Sequence, residues 1–217
     1  MRANEDRSGG VSERCARRGS GGPVRRRDCA RFVGTIVVLI VSPVFAQEAP
    51  EAAKFPPVLL SAEHAKLCRV GVGDVLPPIE LPQLGGEATA LSSLQGQRAT
   101  VVLFWTPDRW MSQAALSDLA VLLGGKNLPA GVAVVGIAVG QPAGAVQAEV
   151  NKAGAAFPQL LDQQGEAFGL VGRAFSPRIY VLDARGRIVW FDIEYSEATR
   201  RELRQSLSVL APGEPAS

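Results

Sequence analysis

Residues 99–123 read ATVVLFWTPDRWMSQAALSDLAVLL, and the change of period inside them decides the architecture. Val101, Val102, Leu103, Phe104 and Trp105 form an unbroken apolar, β-favouring run, the pattern of a strand covered on both faces. Thr106-Pro107-Asp108 interrupts it. Beyond the break Met111, Ala115, Leu119 and Leu122 recur at helical spacing. A strand leading through a short loop into a helix sets the helix N-terminus, with its unpaired amides, at the end of a sheet.

Toward the C-terminus, Gly131–Gly140 (GVAVVGIAVG) reads as a second buried strand. Pro142 then suits the first position of a helix carrying Ala145, Val146, Ala148 and Val150, which stops near Gly154. This alternation predicts an α/β fold, with helices on the faces of a sheet. Arg178–Leu182 and Arg187–Asp192 read as two strands joined by a tight Ala-Arg-Gly turn. Ser196 is placed to cap a last helix with a Leu203, Leu207 and Leu210 stripe, ended by Pro212 and Gly213.

Toward the N-terminus, Gly85-Gly86-Glu87 suits a hairpin turn. Ser61–Arg69 suits a short helix with Ser61 as N-cap and Gly71 past its end. His64 and Cys68 then share a face. They read either as a Cys–His nucleophile pair or half a metal site, or as a small buried thiol near a partly exposed histidine. His64 is the only histidine of the chain, so a metal would need carboxylates, and no metal or cofactor is expected.

Residues 1–31 are rich in Arg, Gly and Ser and read as disordered. Phe32–Ala46 is an apolar run after Arg25-Arg26-Arg27 and Arg31, ending in Val44-Phe45-Ala46. Residues 1–46 therefore read as a secretory signal peptide with a long basic n-region, or as an anchor if it stays in place. Residues 47–71 read as a linker and short helix, 72–211 as the domain and 212–217 as a tail. Cleavage after Ala46 would remove Cys15 and Cys29 and leave Cys68 alone, without an internal disulfide partner. Nine basic and four acidic residues precede position 47, leaving 14 basic and 17 acidic after it. Such a balance gives no reason to expect a nucleic-acid partner.

The central stretch resembles the active-site segment of thioredoxin-like redoxins, in particular the exported TlpA/ResA-like branch related to the AhpC/TSA proteins. Phe104-Trp105 match the strand end that precedes Trp-Cys-x-x-Cys in those proteins. Arg109 falls at the first cysteine, Trp110-Met111 between, and Ser112 at the second. No cysteine follows Cys68. Val72-Gly73-Asp74 with Pro77-Pro78-Ile79-Glu80-Leu81 is similar to the redoxin entry segment. Leu91-Ser92-Ser93-Leu94 and Phe157-Pro158-Gln159-Leu160-Leu161-Asp162 match further family segments. The resemblance implies a thioredoxin-like fold, with a central mixed sheet flanked by helices and an N-terminal β-hairpin extension. It also implies a cis proline at Pro177, preceded by Ser176, facing the helix start.

In an active redoxin the helix N-terminus stabilises a thiolate. Arg109 and Ser112 supply none, and no histidine stands ready to activate Ser112. The expected role is a redox-inactive binding or scaffold module of the cell envelope, exported to the periplasm. Its groove would be lined by Trp105, Asp108, Arg109, Trp110, Ser112, Ser176 and Pro177, and would take a protein, peptide or small molecule. Asp108 is expected to cap the helix or pair with Arg109. Two other readings stay open: a thiol–disulfide oxidoreductase or peroxide-reducing redoxin acting through Cys68, and an adaptor tethered or dimerised by a Cys68 disulfide.

Overall fold

The computed structural model describes residues 54–174 and 177–210. The expected signal peptide, Cys15, Cys29, Ser176 and the 212–217 tail lie outside the described residues. So does the peptide bond that joins Ser176 to Pro177.

The apolar run at the centre of the sequence becomes the central strand. In chain order the elements are α1 (Ala62–Lys66), β1 (Glu80–Pro82), β2 (Ala88–Ala90), β3 (Ala99–Trp105), α2 (Trp110–Leu122), β4 (Val132–Val139), α3 (Ala143–Ala153), β5 (Gln159–Asp162), α4 (Glu166–Val171), β6 (Arg178–Asp183), β7 (Ile188–Asp192) and α5 (Glu197–Leu210). Short 3-10 turns occupy Leu91–Leu94 and Gly125–Asn127. The large sheet runs β5-β4-β3-β6-β7. β3 is parallel to β4, and β4 to β5, because α2 and α3 carry the chain back between them. β6 and β7 add antiparallel to β3 and to each other, which makes the sheet mixed. β1 and β2 form a separate antiparallel hairpin, whose turn uses Gly85 at φ 76°.

Every residue of β3 is buried, and the alternation of a strand divides them between two cores. Val101, Leu103 and Trp105 pack with Leu116 and Leu119 of α2, Val146 of α3 and Leu203 of α5. Val102 and Phe104 pack on the other face with Phe168 and Val171 of α4 and with Tyr180 and Leu182 of β6. A strand lined on both sides needs apolar residues at successive positions, which is why its sequence shows no alternation.

Four local expectations are corrected. The buried face of α2 is Ser112, Ala115, Leu116 and Leu119, followed by Leu123, while Met111 and Leu122 are only partly covered. The helix starts at Trp110, and the four-residue link from β3 sets its rotation. Pro142 is the N-cap of α3 rather than its first helical residue, and only Val146 and Val150 of that helix are buried. Gly71 does not end α1; Leu67 is its C-cap, and the Cys68 amide donates to the Ala65 carbonyl at 3.1 Å. No hydrogen bond joins the His64 imidazole to the Cys68 thiol among the described residues; the thiol donates instead to the His64 backbone carbonyl at 3.5 Å. Cys68 lies past the helix end, and His64 Nε2 sits 3.5 Å from Glu194 Oε1.

The cap of α5 is as expected and reciprocal. The Thr199 amide donates to Ser196 Oγ at 3.3 Å, and the Ser196 amide donates to Thr199 Oγ1 at 3.0 Å. Thr199 Oγ1 also donates to Asp192 Oδ2 at 2.6 Å, tying the helix start to the end of β7.

Candidate functional site

The end of β3 is held by a hydrogen bond that the linear pattern does not announce. Trp105 Nε1 donates to Gln159 Oε1 at 3.0 Å, and Gln159 Nε2 donates to the Phe157 carbonyl at 3.3 Å. Gln159 is buried on β5, across β4 from Trp105. The intervening residue is Gly136. A Cβ there would lie 2.1 Å from Gln159 Oε1 and 2.7 Å from its Cδ. The glycine is required because the amide passes over its bare Cα.

This arrangement corrects the placement of Trp105 in an open groove, since the indole is fully buried. Ser112 is likewise fully buried, and its hydroxyl has no hydrogen-bond partner among the described residues. It faces the core because it falls on the inner side of α2, one turn ahead of Leu116.

The exposed part of the helix start is Asp108, Arg109 and Trp110. Thr106 Oγ1 donates to Asp108 Oδ1 at 2.7 Å. Gln113 Nε2 reaches back to the Pro107 carbonyl at 2.6 Å. The N-cap of α2 is Arg109, with no side-chain cap, so Asp108 turns to the loop instead of the helix amides. Trp110 leaves 74 % of its surface exposed, a large apolar side chain in water beside a cation. Pro177 is buried. The β3–β6 register pairs Phe104 with Arg178, so Pro177 lies one step further along, at the sheet end where α2 begins.

Cys68 belongs to a different place. Arg178 follows Pro177, and its side chain falls on the Phe104 and Tyr180 side of the sheet, whereas α2 packs on the Trp105 side. Arg178 Nη1 lies 3.5 Å from Cys68 Sγ, and its Nη2 donates to the carbonyls of Leu67 at 2.9 Å and Ala174 at 3.2 Å. The guanidinium stands 5.4 Å from the Phe168 ring centroid. The sheet therefore separates Cys68 from the helix start. Burial pushes the Tyr180 phenol up to about 12, against an opposing pull from the nearby Arg178 cation. No hydrogen bond of good geometry joins Tyr180 Oη to that cation.

Among the described residues no group of three or more His, Cys, Asp or Glu side chains is placed to share a metal ion. None of their helices is long and apolar enough to cross a membrane.

A five-stranded mixed sheet, with a strand–loop–helix opening at its centre and a proline beside that opening, defines a thioredoxin-like redoxin. The chain belongs to the AhpC/TSA family, whose sequence model matches residues 72–191. Solved structures share the fold. One, from Bacteroides thetaiotaomicron and named for protein disulfide isomerase activity, is 22 % identical with a TM-score of 0.61. That match covers 68 % of this chain and 94 % of the other. The thioredoxin domain of a thiol-disulfide oxidoreductase from Bacteroides vulgatus is 16 % identical over 65 % of this chain and 99 % of its own, with a TM-score of 0.54. A Chlorobium tepidum protein named for the thiol:disulfide interchange protein DsbE is 19 % identical over the same 65 % and 99 %, with a TM-score of 0.53. A search of curated proteins found no match.

Proposed function

We propose that this redoxin has given up dithiol chemistry and acts as a binding module of the cell envelope, using the exposed start of α2. One observation carries the reading. The positions that resemble the two redoxin cysteines are Arg109 and Ser112, an exposed cation and a buried hydroxyl. Neither can form a thiolate or exchange a disulfide. Asp108, Arg109 and Trp110 offer a mixed surface instead: an exposed indole for apolar or cationic groups, and a guanidinium suited to a carboxylate. Pro177 lies at the same end of the sheet but is itself buried, so the exposed surface is that of Asp108, Arg109 and Trp110. The occupant is a protein, peptide or small molecule carrying an apolar group and an acidic one. Export is part of the reading and rests on the apolar run Phe32–Ala46 behind its arginines.

The test is dithiol-driven reduction of a protein disulfide by the purified chain. The expected result is no turnover above the uncatalysed rate, for the native chain and for Cys68→Ser alike. Turnover that Cys68→Ser abolishes would reject the reading. Capture of envelope proteins by the native chain, lost with Trp110→Ala at unchanged melting temperature, would support it.

A further inference from the structure

A second site lies at the other end of the sheet, where β4 begins, and does not depend on what binds at the start of α2. The β4–β5 ladder starts only at Gly136, opposite Gln159, so β4 extends past the first residue of its neighbour. The even-numbered residues of β4 bond toward β5: the Gly136 amide donates to the Pro158 carbonyl and the Gly140 amide to the Asp162 carbonyl, both at 2.9 Å. By the same alternation the amide and carbonyl of Val134 are directed to that side. The next donor along the ladder would be Pro158, which has no N–H. The next acceptor would be the Ala156 carbonyl, but the chain has turned away there, and the Ala155 amide donates back to the Val150 carbonyl of α3 at 3.1 Å. Among the described residues no backbone hydrogen bond reaches Val134 from the β5 side. This open edge lies in an apolar groove of about 300 Å³, walled by Leu123, Leu128 and Phe157.

We propose that the open edge of β4 at Val132–Val134 docks an extended peptide segment that carries an acidic residue. Backbone polar groups between apolar walls call for hydrogen-bonding partners. A lipid tail would cover the Val134 amide and carbonyl without satisfying them. A second copy of the chain presents the same recessed edge, and Val132 and Val134 are both buried, so two such edges cannot close to the about 4.8 Å of a strand pair. A single extended peptide can enter, and it brings both a donor and an acceptor as an added strand. One of its apolar side chains fills the space between Leu123, Leu128 and Phe157. Charge gives the second requirement. Arg98 stands against Gly131, where a Cβ would lie 3.0 Å from the arginine Cγ, and Lys126 adjoins Gly125 of the groove lining. Both cations are exposed, and neither has an ion pair among the described residues. No acidic residue lines the groove. Backbone pairing supplies affinity with little demand on sequence, while the apolar wall and the two cations set the preference.

The experiment selects a random heptapeptide display library against the full chain, then titrates the selected peptides, with blocked ends, into the isotopically labelled full chain. The expected peptides alternate apolar and polar residues, carry an acidic one, shift the Val134 amide resonance and slow its hydrogen exchange. The same peptides methylated on alternate backbone nitrogens keep their side chains but lose their donors, and should bind roughly tenfold more weakly. Pro158→Ala restores a ladder donor opposite the Val134 carbonyl and should weaken binding roughly three- to tenfold, the net worth of one hydrogen bond. Leu128→Asp puts a negative charge on the exposed wall and should weaken binding at unchanged melting temperature. The free native chain decides the matter if a variant does not fold: its Val134 amide should exchange faster than that of Val135, which bonds toward β3. Equal protection of those two amides would overturn the proposal. So would a library that yields no peptide perturbing Val134, or methylated and unmethylated peptides of equal affinity.

Discussion

Replacing Gly136 with alanine should cost far more than one methyl group suggests. The added Cβ would stand 2.1 Å from Gln159 Oε1 and 2.8 Å from Gln159 Nε2, well inside van der Waals contact. The Gln159 amide must move, and moving it breaks the 3.0 Å bond from Trp105 Nε1 and the 3.3 Å bond to the Phe157 carbonyl. Trp105 is fully buried, so its N–H would be left without water or protein, at about 1–3 kcal/mol. Repacking around the displaced amide adds about 1–3 kcal/mol. The loss should total roughly 2–6 kcal/mol, a large part of the stability of an ordinary domain. Urea unfolding followed by far-ultraviolet circular dichroism reads it as a fall in midpoint at constant slope. Gly144→Ala is the matched control, because nothing lies within 4 Å of a Cβ there and the residue is in α3. It should gain about 0.5–1 kcal/mol from helix propensity. A Gly136→Ala chain that unfolds within about 0.5 kcal/mol of the native one would refute the close-approach argument.

Ser112→Ala removes a buried hydroxyl that has no partner. It should leave stability unchanged or raise it by up to about 1 kcal/mol in the same urea assay, the opposite of what a catalytic or anchoring hydroxyl would show. Ser196→Ala removes the α5 cap and should cost about 1 kcal/mol, read as a lower melting temperature. Both tyrosines are held protonated: Tyr180 chiefly by burial, to about 12, and Tyr195 by burial together with its bond to Asp118. The folded chain binds these protons more tightly than the unfolded one, so the stabilisation is complete below about pH 10 and is lost as the pH rises toward 12. For Tyr180 the loss is roughly 2–3 kcal/mol. Absorbance at the phenolate band should stay flat through pH 10 and rise only with unfolding; a titration step at pH 10 in the folded chain would contradict it.

Much of the fold was legible because it rests on local pattern. The change from the Val101–Trp105 run to the helical spacing after Asp108 marks β3 and α2, and the turn at Gly85-Gly86 and the cap at Ser196 are short-range chemistry. Of the helically spaced Met111, Ala115, Leu119 and Leu122, Ala115 and Leu119 lie on the buried face of α2 together with Ser112 and Leu116, while Met111 and Leu122 are only partly covered. Helical periodicity gives the spacing of a stripe, but the loop from β3 decides which stripe meets the sheet. Trp105 read both as the end of a buried strand and as a groove residue; it lies in the core, where its indole nitrogen finds Gln159, 54 residues away, a partner that no signal near Trp105 announces.

By itself the sequence determined the class of protein and the absence of cysteines at the helix start, since strand, loop and helix signals and residue identities are properties of neighbours along the chain. Only the tertiary structure decided that Cys68 and the start of α2 lie on opposite faces of the sheet, and that Arg178 reaches the thiol from 110 residues away. That contact depends on the β3–β6 register, which turns Arg178 toward Phe168, and on Gly172 leaving room for the guanidinium. Both are products of packing between distant segments, and no local period encodes them.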